Sequence, residues 1–177
     1  MTAISNHFMQ VYECMTLLDK EEVERAAAVL DVVRGLGKRV YLFGNGGSHA
    51  TASHWANDLT KMAKCRAVCL GDMTPTITAY GNDNGWDKMF ADPLSKLAEA
   101  DDAVIGISCS GNSKNVLEAL RVAKARGCLT IGVTGNELDS GLHAVGCDVI
   151  VHAPYPDIRV QEDVHLIIAH AITRALQ

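Results

Sequence analysis

Two stretches rich in glycine and serine hold much of the chemistry in this 177-residue chain. The first, Gly44-Asn45-Gly46-Gly47-Ser48, follows the apolar run 39–43 and leads into residues with helical periodicity. A strand that feeds a helix through glycines leaves bare backbone N–H groups and a hydroxyl at a helix N-terminus, which makes an anion site. A tight turn that needs glycine for positive φ explains the same residues, and both readings stand. His49 takes the place of the last glycine in G-x-G-x-x-G, and no Gly-Lys-Ser/Thr completes a P-loop, so dinucleotide and ATP binding lose their main support.

The second stretch is Ser108-Cys109-Ser110-Gly111-Asn112-Ser113, again between an apolar run and a helical one. Ser113 alone reads as an N-cap. Three serines around a glycine, aimed at a positive helix end, suit a dianionic phosphate monoester.

Acid–base groups lie elsewhere. His54 and Asp58 stand four apart and share one helix face, a spacing that suits a His–carboxylate pair, two metal ligands or a solvated face. Glu162, Asp163, His165 and His170 form a second cluster on the last helical stretch. Glu162 and His170 are about two turns apart, or about 12 Å along a regular helix, so one ion reaches both only if Glu162 lies in an irregular first turn. Asp83 sits in Tyr80-Gly81-Asn82-Asp83-Asn84-Gly85, which reads as a polar turn.

The elements that position these groups follow from periodicity. Residues 1–36 carry apolar positions at helical spacing and predict two helices. Short apolar runs at 39–43, 67–70, 103–107, 129–133 and 148–152 predict buried strands. Helical stretches at 48–64, 87–100, 113–126, 139–145 and 159–176 alternate with them. That alternation predicts a single α/β domain over residues 1–177, a doubly wound parallel five-stranded sheet with N-terminal helices. In the flavodoxin-like order 2-1-3-4-5 the ligand crevice opens between strands one and three, the two that feed the glycine and serine loops.

Composition narrows the function. With 48% hydrophobic and 21% charged residues the chain reads as an ordinary globule. A net charge of -5 and 5% aromatic residues argue against nucleic acid as a partner. The six cysteines form no C-x-x-C pair, and no apolar stretch is long enough to cross a bilayer. With no signal peptide at Met1, the expectation is a cytoplasmic protein with reduced thiols and no membrane partner.

Taken together, the Gly-Asn-Gly-Gly-Ser loop, His54, Gly81-Asn82-Asp83, the 107–113 serine loop, Gly132-Val133-Thr134-Gly135 and Glu162-Asp163-Val164-His165 with His170 resemble the sugar isomerase (SIS) family. The phosphoheptose isomerases are the most similar branch, and the resemblance covers nearly the whole chain. It implies an aldose–ketose isomerase that interconverts sedoheptulose 7-phosphate and a D-glycero-D-manno-heptose 7-phosphate-type aldose through an enediol. Ser108, Ser110 and Ser113, with Cys109 where threonine is common, then hold the phosphate. Asn45, Gly46, Gly47, Ser48, Asp83 and Glu162 contact the substrate, and Asp58 and His170 are the catalytic pair. The resemblance also implies zinc on His54, Asp58, Glu162 and His170, with Gln161 adjacent to the ligand position, and a homotetramer assembled through residues 1–36. Three departures stand out: Asp58 replaces a longer Glu, Met62 replaces an Arg, and Glu162 replaces a Gln. Lys61 and Lys64 are the nearby cations in sequence. A non-catalytic sugar-phosphate-binding or protein-binding regulator on this fold, and an isomerase of another phosphosugar, are the alternatives; His170 favours the enzyme.

Overall fold

In the computed structural model, which describes residues 2–135 and 139–177, the five apolar runs pair into one parallel sheet of order β2-β1-β3-β4-β5. The strands are β1 (Arg39–Gly44), β2 (Arg66–Cys69), β3 (Ala103–Ser108), β4 (Leu129–Thr134) and β5 (Val149–His152). Successive side chains of a strand point to opposite faces. In β1 this sends Val40 and Leu42 into one core layer and Tyr41 and Phe43 into the other.

The first layer is covered by α1 (Ala3–Leu17), α2 (Lys20–Gly35), α3 (Gly46–Lys61) and α8 (Ile158–Ala175), which contribute Cys14, Leu30, Trp55, Leu59, Val164 and Ile168. The second is covered by α4 (Thr74–Asn84), α5 (Ala91–Leu97), α6 (Lys114–Ala125) and the short α7 (Gly141–Val145), through Ile77, Leu94, Val116, Leu120 and Leu142. Helix starts follow capping chemistry: Thr2, Asp19 and Asp157 accept from the backbone N–H groups of Ser5, Glu21 and Arg159. No described helix is long and apolar enough to cross a membrane.

The expected strand order holds, with two corrections to the elements around it. Residues 80–85 are not a polar turn. They complete α4, which starts with Pro75 in its first turn, packs Ile77 into the core and stops where Gly85 takes φ +95°. The single helix expected over 87–100 is instead a 3-10 turn, Trp86–Lys88, followed by α5. Helix α3 begins at Gly46, so Gly46 and Gly47 lie in its first turn. The β1–β3 register sets Gly44 against Ile107, which brings the two loops side by side where the winding reverses.

Candidate active site

The glycine and serine loops are joined by an amide pair. Asn45 precedes α3 but makes no cap with its side chain. Its Nδ2 donates to Asn115 Oδ1 at 3.0 Å, and Asn115 Nδ2 donates back to Asn45 Oδ1 at 2.8 Å. Asn115 lies in the first turn of α6 and is buried. Sequence reasoning passed over it; its one signal was a polar side chain beside Val116 on the apolar face.

The serine loop is folded for a purpose other than capping. Ser113 makes no cap to α6; its hydroxyl accepts from Ser108 Oγ at 3.0 Å, so the plain N-cap reading fails. Gly111 turns the loop at φ +65°, and a Cβ there would overlap the Ser140 hydroxyl. The backbone N–H of Gly111 donates to Ser108 O at 2.9 Å, and that of Asn112 donates to Ser110 Oγ at 3.2 Å. Asn112 Oδ1 accepts from the Gly141 N–H at 2.7 Å. Hydroxyls and the start of a twelve-residue helix, which Ser113 does not cap, thus collect in one place, an arrangement chemically suited to an anion.

The two loops differ in charge. A Cβ on residue 47 would overlap the Glu162 carboxylate, so Glu162 lies directly against the first turn of α3. The positive end of α3 therefore already faces a carboxylate. A carboxylate at that position disfavours a second anion at the glycine loop and suits neutral hydroxyls there.

Beneath the loops runs a buried polar chain. Ser48 Oγ lies 3.7 Å from Cys109 Sγ, which lies 3.9 Å from His165 Nδ1, and His165 Nε2 donates to Thr134 O at 2.9 Å. Burial pushes the Cys109 thiol up; the Ser48 hydroxyl opposes that rise and Glu162 adds to it. Burial holds His165 down at about 4, so it is a neutral imidazole whose Nε2 carries the hydrogen.

The acid–base groups gather where α3 crosses α8. His54 Nε2 lies 3.0 Å from His170 Nε2 and 3.3 Å from Asp58 Oδ2, and His170 Nε2 lies 3.7 Å from the same oxygen. Asp58 is buried, both imidazoles are half-exposed, and Asn57 Nδ2 donates to Asp58 Oδ1 at 3.2 Å. Three lone-pair donors facing one point suit a shared proton or a divalent ion.

Glu162 is not among them, which corrects its expected place as a fourth ligand. α8 is regular from Ile158 onward, so Glu162 sits about two turns, or about 12 Å, from His170, and its carboxylate is at the glycine loop. Gln161 does not replace it: it is buried, with Nε2 donating to Tyr155 O. The pocket at the trio is lined by Met62 and Arg174, so a cationic side chain borders it although position 62 is apolar. Lys61 lines a different pocket, on another face of α3. Asp83 is exposed on α4, accepts from Asn82 Nδ2 at 2.8 Å, and no hydrogen bond described ties it to either loop.

Comparison with known proteins agrees with this geometry. Residues 6–135 match the SIS domain family. The phosphoheptose isomerase of Aliarcobacter butzleri is 37% identical over 162 residues, 89% of this chain and 85% of the relative. That of Trichlorobacter lovleyi is 38% identical over 175 residues, 92% of this chain and 88% of the relative. The solved phosphoheptose isomerase of Neisseria gonorrhoeae superimposes with a TM-score of 0.89 at 30% identity, covering 98% of this chain and 94% of that one.

Proposed function

The chain belongs to the SIS domain family and within it to the phosphoheptose isomerases, and on that premise we propose how it interconverts sedoheptulose 7-phosphate and an aldoheptose 7-phosphate. The observation that carries the assignment of roles is the spacing on α8. Glu162 at the loops and His170 at the trio are separated by a length on the scale of an extended seven-carbon chain with its terminal phosphate.

Ser108, Ser110 and Ser113 hold the phosphate at the start of α6, and Asn45, Ser48 and Glu162 meet the hydroxyls of the open chain. Binding at this remote end holds the reacting carbons against the trio. The Asp58 carboxylate takes a proton from carbon 1 of the ketose as the carbon 1–carbon 2 double bond forms, and His170 gives a proton to the oxygen on carbon 2. The enediol then collapses: Asp58 returns its proton to carbon 2, and His170 recovers one from the oxygen on carbon 1. No electrons leave the substrate, and both side chains end as they began.

His54, Asp58 and His170 also fit zinc by donor type, with room for a fourth ligand from substrate. A bound ion would polarise the substrate oxygens. Ligation and proton transfer draw on the same lone pairs, so the metal dependence of the rate separates the two uses of these residues.

The assembly we propose is a homotetramer. Ile4, Phe8 and Tyr12 form a stripe on α1 that is 60 to 70% exposed, and a second apolar groove runs between α2 and α8 along Leu18, Val23, Ala27, Ile167 and Ala171. Packing these faces between subunits hides both, and a neighbour's α4 would bring Asp83 to a site that its own chain does not reach. A cytoplasmic setting fits the six unpaired cysteines.

The deciding experiment is an isomerase assay on a panel of five- to seven-carbon ketose phosphates, with and without zinc, on the wild type and on Asp58→Asn. Turnover of sedoheptulose 7-phosphate that the variant loses is the expected result. Tight sugar-phosphate binding without turnover would instead identify a regulator. Light scattering that finds a monomer at micromolar concentration would overturn the assembly.

A further inference from the structure

We propose that His49, Cys69 and Asp72 form a second metal site, for a divalent ion of the zinc type, on a different face of α3 from the acid–base trio. His49 stands in the first turn of α3, Cys69 ends β2, and Asp72 ends the 3-10 turn that follows. Their ligand atoms all lie within 4.8 Å of one another. Cys69 Sγ is 3.6 Å from His49 Nδ1. A tetrahedral zinc with Zn–S of about 2.3 Å and Zn–N of about 2.0–2.1 Å has an S to N edge of about 3.5 Å, so these two atoms already stand at ligand spacing.

Three features show that the place is built. Ser53 Oγ donates to Asp72 Oδ2 at 2.8 Å and leaves Oδ1 beside the His49 ring, 3.4 Å from Nε2; since the sulfur faces Nδ1, an ion takes one of the two nitrogens and a small side-chain rotation brings the third ligand to it. Such outer bonds orient ligating carboxylates. A Cβ on residue 71 would overlap the His49 ring, so only glycine lets the imidazole lie against the turn. The backbone N–H groups of Gly71 and Asp72 bond the Cys69 sulfur and favour its thiolate. A pocket lined by Ser53, Asn57, Lys61, Cys69 and Asp72 opens the Cys69 and Asp72 side of the site to solvent.

The order sulfur, imidazole, carboxylate also suggests a nucleophilic cysteine relay. Burial argues against it: Cys69 is 4% exposed, and desolvation pushes the thiol up to about 11, so it is protonated and unreactive. A divalent ion reverses that balance by displacing the proton to solvent and compensating the thiolate charge in place. Thiolate, imidazole and carboxylate together suit zinc, with one open position for water. The ion would clamp the end of β2 to the turn of α3 that carries Gly46, Gly47 and Ser48, so its effect is on the order of the glycine loop.

Cobalt(II) is the probe, because a thiolate ligand gives it a near-ultraviolet charge-transfer absorption that the trio, which has no sulfur, cannot produce. The titration uses the wild type and His54→Ala/His170→Ala. Expected is a band that saturates at one ion per chain in both proteins, is erased by added zinc and is lost in Cys69→Ser. In His49→Ala, an accessible position with little effect on folding, the midpoint should rise roughly tenfold or more. No band in His54→Ala/His170→Ala, a band that survives Cys69→Ser, or an unchanged midpoint in His49→Ala would each overturn the site.

Discussion

Lowering the pH from neutrality toward 5 should remove stability at His165 in particular. This imidazole is buried, its Nε2 donates to Thr134 O, and its Nδ1 faces the Cys109 thiol, so no acceptor awaits a second proton. Its ordinary value of 6.5 applies to the unfolded chain, and burial holds the native value at about 4. Between those values the unfolded chain binds a proton that the native chain does not, so stability is intact above 6.5 and falls as the pH drops, levelling off below 4. The full loss is about 3 kcal/mol at about 1.4 kcal/mol per pKa unit, of which about 2 kcal/mol is reached near pH 5. His165→Gln keeps an N–H for Thr134 O and removes the titration. Urea unfolding of both proteins near pH 7.5 and pH 5, at one protein concentration, isolates the residue because the other titrating groups cancel in the difference. The wild type should lose about 2 kcal/mol more than the variant on acidification. Parallel losses would refute the reasoning and place the imidazole in contact with water.

Three further outcomes test the site. Ser110→Ala should raise KM and weaken inhibition by inorganic phosphate by roughly 10- to 150-fold with little change in kcat, the worth of one charge-assisted hydrogen bond of about 1.5–3 kcal/mol; unchanged affinities for both would remove this loop from the phosphate site. Gly111→Ala combines a left-handed backbone with an overlap on Ser140 Oγ and should lower stability by about 2 kcal/mol or more, read as a drop in Tm; an unchanged Tm would show that the loop relaxes around the new methyl. Exhaustive chelation should lower wild-type activity and zinc restore it, while His54→Ala shows no zinc response of its activity; full activity in metal-free protein would leave Asp58 and His170 as an acid–base pair that needs no ion.

Much of the fold was legible because each strand is a short apolar run and helical periods separate the strands. For such a chain few topologies compete. α4 was not legible, since Gly81-Asn82-Asp83-Asn84-Gly85 has the composition of a turn. Pro75 at the start of the helix and the packing of Ile77 override that local preference. At the site, the loops announce themselves by clustered glycine and serine. Asn115 does not, and His165, named with the last-helix cluster, shows nothing of its buried place, because the need for a buried polar partner appears only once α6 and α8 are packed on the sheet. His49, Cys69 and Asp72 are likewise scattered over a β-α unit with no local spacing to betray them. Glu162 shows the opposite case: the rise of a regular helix already opposed its sharing an ion with His170, and the geometry of α8 prevails over the ligand set that the resemblance implied.

α8 also decides how the two halves of the site cooperate. Val160, Val164, His165, Ile168 and Ile172 fix it in the core, and Asp157 caps its start, so it cannot slide without opening the layer beneath the sheet. The distance from the loops to the trio is therefore a property of the core, and a substrate must match it. Charge works along the same axis. Glu162 sets a carboxylate against α3, which disfavours a dianion there and, on the proposed reading, leaves the phosphate to the serine loop at α6. The proposed place of the reacting end is where Asp58, itself buried, meets two half-exposed imidazoles in a pocket that Arg174 borders. On the proposed reading, length and charge together favour one orientation of one size of sugar phosphate, and neither depends on the identity of the residue that removes the proton. On that ground the shorter carboxylate at position 58 bears on the rate of the proton transfer, while recognition of the phosphate and chain length rests on residues outside the trio.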